Sequence, residues 1–431
     1  MKVTDASITP HIVVKIAKPI YGGAFLAHVA GKAVFVPLTL PGEQARIRIT
    51  QNKSGYATAE ADEIVVAAPE RVAPGCRHFG ACGGCHYQHT TYKSQLAFKQ
   101  AILSETLERA GVSVPGEIEL VAGEPWGYRN RIRVAFDAAG NPGYRGRRSH
   151  AVIPISECPI AAPVLIEAAQ ASAEVAGRLA PTLRPTEIAL FCDAAESSVL
   201  ASILTANARK VRFDEFAQTV QQRIPALKGA ELVLEGQSGQ PPRTIAQWGA
   251  TSLTYRAAGF DYRVDNGAFF QVNRWLVDGL VELVAAEQTG ALAWDLFAGV
   301  GLFARRLTDQ FARVVAVESA PSSTKALTAN LKGTHGVPVR ATTLDFLRRS
   351  HDERPDFIAV DPPRTGLGAE TTALLAEIAA PALAYVSCDP ATLARDLRAL
   401  IGSGYELHSI TLVDLFPQTF HLETVVHLRR A

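Results

Sequence analysis

From residue 290 to the C-terminus, short apolar runs alternate with helix-length segments, and no other feature constrains the fold of this chain so tightly. Leu292–Leu296, Arg313–Val317, Val337–Ala341, Asp356–Val360 and Ala382–Val386 read as strands. Their alternation with helical segments calls for a doubly wound parallel sheet. Tyr405–Leu412 and Glu423–Leu428 follow, close together across a short Pro-containing link. They predict a hairpin whose final strand runs antiparallel.

In open sheets of this kind, ligands bind beyond the carboxyl ends of the strands. Asp295-Leu296-Phe297-Ala298-Gly299-Val300-Gly301 leaves the first strand, and Gly299 and Gly301 let the backbone come close to a ligand. Glu318 ends the next strand, where a carboxylate can accept both ribose hydroxyls of an adenosine. Ala304 stands where a dinucleotide fingerprint carries its third glycine, so S-adenosylmethionine fits better than a dinucleotide. Asp345, after the third strand, is placed to contact the adenine edge. Asp361-Pro362-Pro363-Arg364 ends the fourth strand, and its two prolines fix a rigid, extended exit for the Asp361 carboxylate.

Cys388 ends the fifth strand on the same rim. Asp389 offers an N-cap and Pro390 a first helical residue, so a helix is expected through Asp396 and Leu400. At the positive end of that helix dipole, the Cys388 thiol pKa is expected to fall. With an antiparallel last strand, Glu423 begins on this rim within reach of Cys388. A thiolate, a methyl donor and a carboxylate together suit methylation of uracil at C5. Addition of the thiolate to C6 activates C5, and a base later removes the C5 proton so that elimination restores the thiol. The target base must be extruded or already unstacked.

The N-terminal region has a different texture. Ile12–Ile16, Ala33–Val36, Gln44–Ile49 and Ala57–Val66 are short β-rich runs separated by Gly and Pro turns, which suggests a small barrel of the oligonucleotide-binding kind. Gly22-Gly23, Phe35-Val36-Pro37 and Pro41-Gly42-Glu43 resemble a TRAM domain, an RNA-binding barrel. Cys76, Cys82 and Cys85 follow a linker, with Gly83-Gly84 inside the last pair, and Cys158-Pro159 offers a fourth thiol. Four thiolates suit an iron–sulfur cluster or zinc equally. Tyr92–Ala110 has helical periodicity. Arg129, Arg131 and Arg133 alternate with apolar or amide residues, so they share one strand face. A turn is expected at Asn141-Pro142-Gly143, and Asp137 is the single acid expected against the arginines around it. With Trp126, Tyr128 and Tyr144 between them, the arginines favour phosphate and base contact. Residues 160 to 255 read as a mixed α/β continuation, with helices over Ala162–Ala180 and Phe213–Ile224 and strands at Glu187–Cys192 and Ser198–Leu204.

Six cysteines at uneven spacing in 431 residues do not form a secreted disulfide framework. No signal peptide opens the chain and no apolar run approaches a membrane span, so a cytoplasmic protein without membrane contact is expected, and a monomer is the expected state. The net charge of +1 confines any basic surface to a local patch.

These motifs lie in order along nearly the whole chain. With Phe270-Gln271-Val272-Asn273 and Phe416-Pro417-Gln418-Thr419-x-His421-x-Glu423, they resemble the RNA 5-methyluridine methyltransferase family, in the iron–sulfur branch that includes the 23S ribosomal RNA enzymes. The resemblance implies a multidomain chain. A TRAM barrel spans residues 1–68. A central α/β RNA-binding domain with the cluster spans 69–90 and 122–258. A Rossmann-like methyltransferase domain spans 91–121 and 259–431. It implies that the helix around Tyr92–Gly111 packs on the catalytic domain. It makes Cys388 the nucleophile and Glu423 the base. Gln271, Phe297, Glu318, Asp345 and Asp361, with Gly299 and Gly301, then line the cofactor and uracil pocket. Cys76, Cys82, Cys85 and Cys158 hold a [4Fe–4S] cluster in preference to zinc, and Arg129, Arg131, Arg133 and Phe269 contact RNA. The implied substrate is uridine in 23S rRNA, with tRNA uridine or RNA cytosine as alternatives. One departure is Leu302, where the family often carries asparagine.

Overall fold

The computed structural model describes residues 11–179, 183–206, 212–236 and 241–430. The expectation for the extreme N-terminus and the Ala180 end of the expected helix lie outside the described residues. Two compact units partition the chain: Met1–Glu105 with Phe416–His421, and Thr106–Leu415 with Leu422–Ala431.

In the first unit, strands β1 (Ile12–Pro19), β2 (Ala24–Val29), β3 (Lys32–Pro37), β4 (Gln44–Asn52) and β5 (Tyr56–Val66) close a barrel in the order β1-β2-β3-β5-β4. Alternation drives the closure. Val14 and Ile16 point inward with Phe25, Val34, Val36 and Ile47, while Val13 and Lys15 point out. The barrel contains β2, which the sequence reading passed over. Buried Glu43 accepts from the Leu40 and Ala68 N–H groups and pairs with Arg71, fixing the barrel exit. Helix α1 (Tyr92–Arg109) starts at Thr91, whose hydroxyl oxygen accepts the Ser94 N–H. On it, Phe98 packs edge-on to Phe25 at 5.5 Å.

The second unit holds two larger sheets. After β6 (Glu119–Val121) come β7 (Arg131–Phe136), β8 (Pro142–Arg145), β9 (Val152–Pro154), α2 (Pro163–Leu179), β10 (Pro185–Cys192), β11 (Val199–Thr205), α3 (Phe213–Arg223), β12 (Leu227–Leu234) and β13 (Arg243–Gly249). The strands form a seven-stranded sheet, β13-β12-β11-β10-β7-β8-β9, whose core includes Val134, Leu165, Val175, Ile188, Phe216 and Leu232. The turn between β7 and β8 differs from expectation. It lies at Asp137–Gly140, where the Asp137 carboxylate accepts the Ala139 and Asn141 N–H groups, and Pro142 and Gly143 already belong to β8. Gly143 is required there, because a Cβ would lie 2.1 Å from the Ile153 carbonyl oxygen.

A hairpin of β14 (Ser252–Ala257) and β15 (Phe260–Asp265) leads into the last sheet. Its elements are α4 (Val277–Ala285), β16 (Gly290–Leu296), α5 (Leu302–Leu307), β17 (Phe311–Glu318), α6 (Pro321–Asn330), β18 (Gly336–Arg340), α7 (Thr343–Arg349), β19 (Phe357–Val360), α8 (Ala369–Ile378), β20 (Ala382–Ser387), α9 (Pro390–Gly402), β21 (Tyr405–Val413) and β22 (Glu423–Arg430). The order is β18-β17-β16-β19-β20-β22-β21-β6. The strands from β18 to β20 are parallel, and β22 runs antiparallel to both β20 and β21, as expected. Every side chain of β19 is buried, as a doubly covered strand requires. The strand order reverses between β16 and β19, which creates the crevice at their carboxyl ends.

Candidate active site

An open pocket with about 310 Å³ of empty space occupies that crevice. Phe269, Gln271, Phe297, Gly299 and Asp361, all singled out from the sequence, are among its lining residues. Leu302 lines it as well, and its carbonyl accepts the Tyr262 hydroxyl at 3.0 Å. Phe297 and Gly299 both have positive φ, 64° and 57°, so the loop leaves β16 through two left-handed residues. A Cβ on Gly299 would meet nothing within 4 Å, so the open space in front of this residue is available to a ligand. Gly299→Val is expected to weaken S-adenosylmethionine binding roughly tenfold or more, since a β-branched residue at positive φ is strained by about 1–3 kcal/mol and fills that space. Titration calorimetry checks this, and unchanged affinity would show that the loop is not the binding wall.

The other expected cofactor residues stand around the pocket in different ways. The Glu318 carboxylate accepts the Gly299 N–H at 2.9 Å and so ties the glycine loop to the end of β17. Gly301 is the left-handed residue that opens α5. Asp345 is absent from the pocket lining: it forms a cap with Thr342, whose hydroxyl donates to its carboxylate at 2.7 Å. Gln271 donates to Asp361 at 3.3 Å. Its segment is laced to the preceding sheet, because Asn130 donates to the Gln271 carbonyl at 2.9 Å.

Sequence reading passed over the burial of Asp295. Its carboxylate accepts the Ala304 N–H at 2.8 Å, and Oδ1 is buried without a hydrogen-bond partner among the described residues. Burial pushes its pKa up to about 7. The unfolded chain therefore ionises first as pH rises, and the stability tied to this group falls between about 4 and about 7. Asp295→Asn, which cannot ionise, is expected to gain stability relative to the parent protein across that window. Thermal melts at several pH values check it, and a pH-independent difference contradicts it.

Strand register brings the remaining pair together. Ser387 pairs with Thr424 across β20 and β22, so the next residue of each strand past that pair is Cys388 on one side and Glu423 on the other. Asp361 leaves the neighbouring β19, whose Val360 pairs with Tyr385. The N-cap at Asp389 forms as expected, its carboxylate accepting the Ala391 and Thr392 N–H groups. The thiol pKa, however, moves opposite to expectation. Burial pushes it up to about 12, the Glu423 and Asp361 carboxylates add to the rise, and Arg364 opposes it. The local field of two carboxylates and the loss of water outweigh one helix terminus. Burial also raises Asp361 to about 7. Glu423 is held well above the usual carboxylate range, by burial first and then by Asp361.

The arginine strand alternates as expected, with Asn130, Ile132 and Val134 buried between the arginines. Its charge is less bare than the sequence suggests. Glu187 on β10 pairs with both Arg133 and Arg145, while Asp137 is spent on its own turn. Arg131 lies over the Phe191 ring at 4.4 Å. Phe269 is 59% exposed at the pocket mouth.

Cys76, Cys82 and Cys85 belong to the first unit and Cys158 to the second. The Phe79 N–H donates to the Cys76 carbonyl, the Cys82 N–H to the His78 carbonyl, and the Gly84 N–H to the Cys82 sulfur at 3.4 Å. Among the described residues, no group of three or more His, Cys, Asp or Glu side chains is gathered to hold a metal ion. Within the first unit, Gln418 has φ 68° and is buried, and it exchanges hydrogen bonds with Gln95 at 2.9 Å in both directions. That accounts for one otherwise unexplained residue of the Phe416–His421 motif.

A family model described as tRNA (Uracil-5-)-methyltransferase matches residues 349–431, and the TRAM domain model matches residues 12–61. The 23S rRNA (uracil(1939)-C(5))-methyltransferase RlmD of Chromohalobacter salexigens is 33% identical, over 93% of this chain and 85% of that protein. The chain belongs to the RNA uracil-C5 methyltransferase family. RlmD of Halomonas elongata is 31% identical over the same shares of the two chains. The fold matches the crystal structure of Pyrococcus abyssi tRNA (uracil-54, C5)-methyltransferase in complex with S-adenosyl-L-homocysteine. The TM-score is 0.75 at 22% identity, covering 97% of this chain and all of that one. Membership in this family makes the protein an S-adenosylmethionine-dependent methyltransferase. No described helix is long and apolar enough to cross a membrane.

Proposed function

We propose that this protein methylates uridine C5 in RNA, with 23S rRNA as its substrate, through a covalent bond between Cys388 and uracil C6. The observation that carries the reading is the register that sets Cys388 against Glu423 beside the Asp361 pocket. Its likeness to the RlmD enzymes supports ribosomal RNA. In this reading Gln271, Phe297, Gly299, Gly301, Glu318 and Asp361 hold the methyl donor, and Asp345 borders it. Bound S-adenosylmethionine supplies the electrophilic methyl group and a positive charge to a rim rich in carboxylates. Cys388 releases its proton to solvent and its thiolate adds to C6, which makes C5 nucleophilic; C5 then takes the methyl group, and S-adenosylhomocysteine would be the leaving group. Glu423 takes the C5 proton after methylation, and the C6–sulfur bond breaks to free the thiol. A carboxyl raised by burial suits that role, because it is a stronger base than an exposed one. Arg129, Arg131, Arg133 and Phe269 face the RNA. The test is incubation with a labelled methyl donor and either a 23S rRNA transcript or tRNA. We expect 5-methyluridine in the rRNA; methylation of tRNA alone, or of neither, contradicts the assignment.

We also propose that Cys76, Cys82, Cys85 and Cys158 hold a [4Fe–4S] cluster in a central RNA-binding domain of residues 69–90 and 122–258. The barrel then spans 1–68, and 91–121 with 259–431 forms the methyltransferase domain. Four thiols fit the chemistry of such a cluster, and an N–H aimed at the Cys82 sulfur suits a thiolate ligand. Protein purified without oxygen is expected to contain about four irons per chain, lost in Cys82→Ser. Iron-free protein of unchanged stability would count against the cluster.

A further inference from the structure

Helix α9 starts just after Cys388, and one face of its first two turns grips the loop that carries Arg364. Four consecutive loop residues are held. The Thr392 hydroxyl shares its one hydrogen between the Arg364 carbonyl at 3.2 Å and the Asp389 carbonyl at 3.3 Å. Arg395 donates to the Thr365 carbonyl at 2.9 Å. Gly366, at φ +72°, packs so close that a Cβ would lie 2.5 Å from the Asp396 carboxylate. The Leu367 N–H donates to that same carboxylate at 2.8 Å.

Asp396 is 2% exposed and satisfied on every side. The Tyr385 hydroxyl of β20 donates to Oδ2 at 2.8 Å, and Arg395 pairs with Oδ1 at 2.8 Å. One carboxylate thus joins the strand that ends at the thiol to the loop that carries Asp361 and Arg364. Asp361 and Arg364 are both charges felt by Cys388 and by Glu423. A loop free to move would let the cation drift from the two groups that must ionise.

We infer that Thr392, Arg395 and Asp396 are positioning residues, forming a clamp that holds the Arg364 loop against the nucleophile and base. The inference rests on Cys388 and Glu423 as the reacting pair. It makes the clamp matter for turnover beyond the share that Asp396 has in folding, and not for RNA binding.

Thr392→Val keeps the shape and removes the hydroxyl, Thr392→Ser keeps the hydroxyl, and Asp396→Asn removes the charge that holds Arg395. Hydrogen exchange of the 364–367 segment is read in the ligand-free protein, together with kcat, KM for RNA and melting temperature. Thr392→Val and Asp396→Asn are expected to exchange faster and to lose roughly tenfold in kcat, with KM within about twofold; melting should be nearly unchanged in Thr392→Val and lower in Asp396→Asn, whose amide leaves buried donors unmatched, so Thr392→Val carries the separation from folding. Thr392→Ser is expected to behave as the parent protein does. Faster exchange with kcat intact, or kcat falling only with the melting temperature, overturns the inference. If the parent protein methylates no RNA, the functional reading fails by itself. Unchanged exchange in both variants then still refutes the clamp.

Discussion

Cys388→Ala is expected to abolish methyl transfer, with a loss of at least about 10⁴-fold, while S-adenosylmethionine affinity stays within about twofold. Without sulfur addition at C6, uracil C5 has too little nucleophilic character to take a methyl group. No other cysteine lies on the strands of this sheet: Cys192 is fully buried at the end of β10, in the seven-stranded sheet. The pocket proposed for the methyl donor is lined by residues from 269–271, 297–303 and 361, none of which changes in this variant. A scintillation assay for labelled methyl groups measures the effect. Activity within about tenfold of the parent would mean that C5 is activated in some other way.

Glu423→Gln is expected to lower turnover by about 10²–10⁴-fold and to stall the reaction after methyl transfer, so that protein–RNA covalent complex accumulates. In the proposed mechanism the adduct forms without the base, but C5 deprotonation and release need it. Denaturing gels of protein with labelled RNA separate the two steps. Stability should move the other way. Burial and Asp361 hold the Glu423 carboxyl above its ordinary range, so the unfolded chain ionises before the folded protein as pH rises. The amide cannot ionise, and the variant should melt at a higher temperature than the parent at neutral pH, as expected where a site sacrifices stability for function. A variant that is inactive, adduct-free and less stable would argue that Glu423 is a structural residue.

Much of this site is legible in the sequence because its residues fall at strand ends. Apolar runs fix where β16, β17, β19 and β20 stop, and the rim follows from topology. That is how Gly299, Asp361, Cys388 and Glu423 could be placed on one rim from the sequence. What the sequence concealed depends on through-space partners. The thiol of Cys388 sits beside two carboxylates that are 27 and 35 residues away in the chain, so the helix terminus alone misjudged its pKa. Glu187 pairs with Arg133 and Arg145 from a strand that no local pattern links to them. In the barrel, β2 was hidden because Ala24, Phe25, Leu26, Ala27 and His28 lack β-branched residues, and packing within the closed barrel decides its state. Strand β6, three residues long, exists through its pairing with β21. The Thr392–Asp396 clamp is equally silent in sequence, since polar residues on a helix usually face water.

The most direct test of covalent catalysis uses RNA in which the target uridine is 5-fluorouridine. Fluorine at C5 cannot be removed as a proton, so Glu423 has nothing to abstract and the adduct persists after methylation. Parent protein, methyl donor and this RNA are combined, digested with protease and nuclease, and analysed by mass spectrometry. The peptide containing Cys388 should carry one methylated fluorouridine nucleotide on its sulfur. Recovery of that peptide unmodified, or attachment at a different residue, would contradict the mechanism.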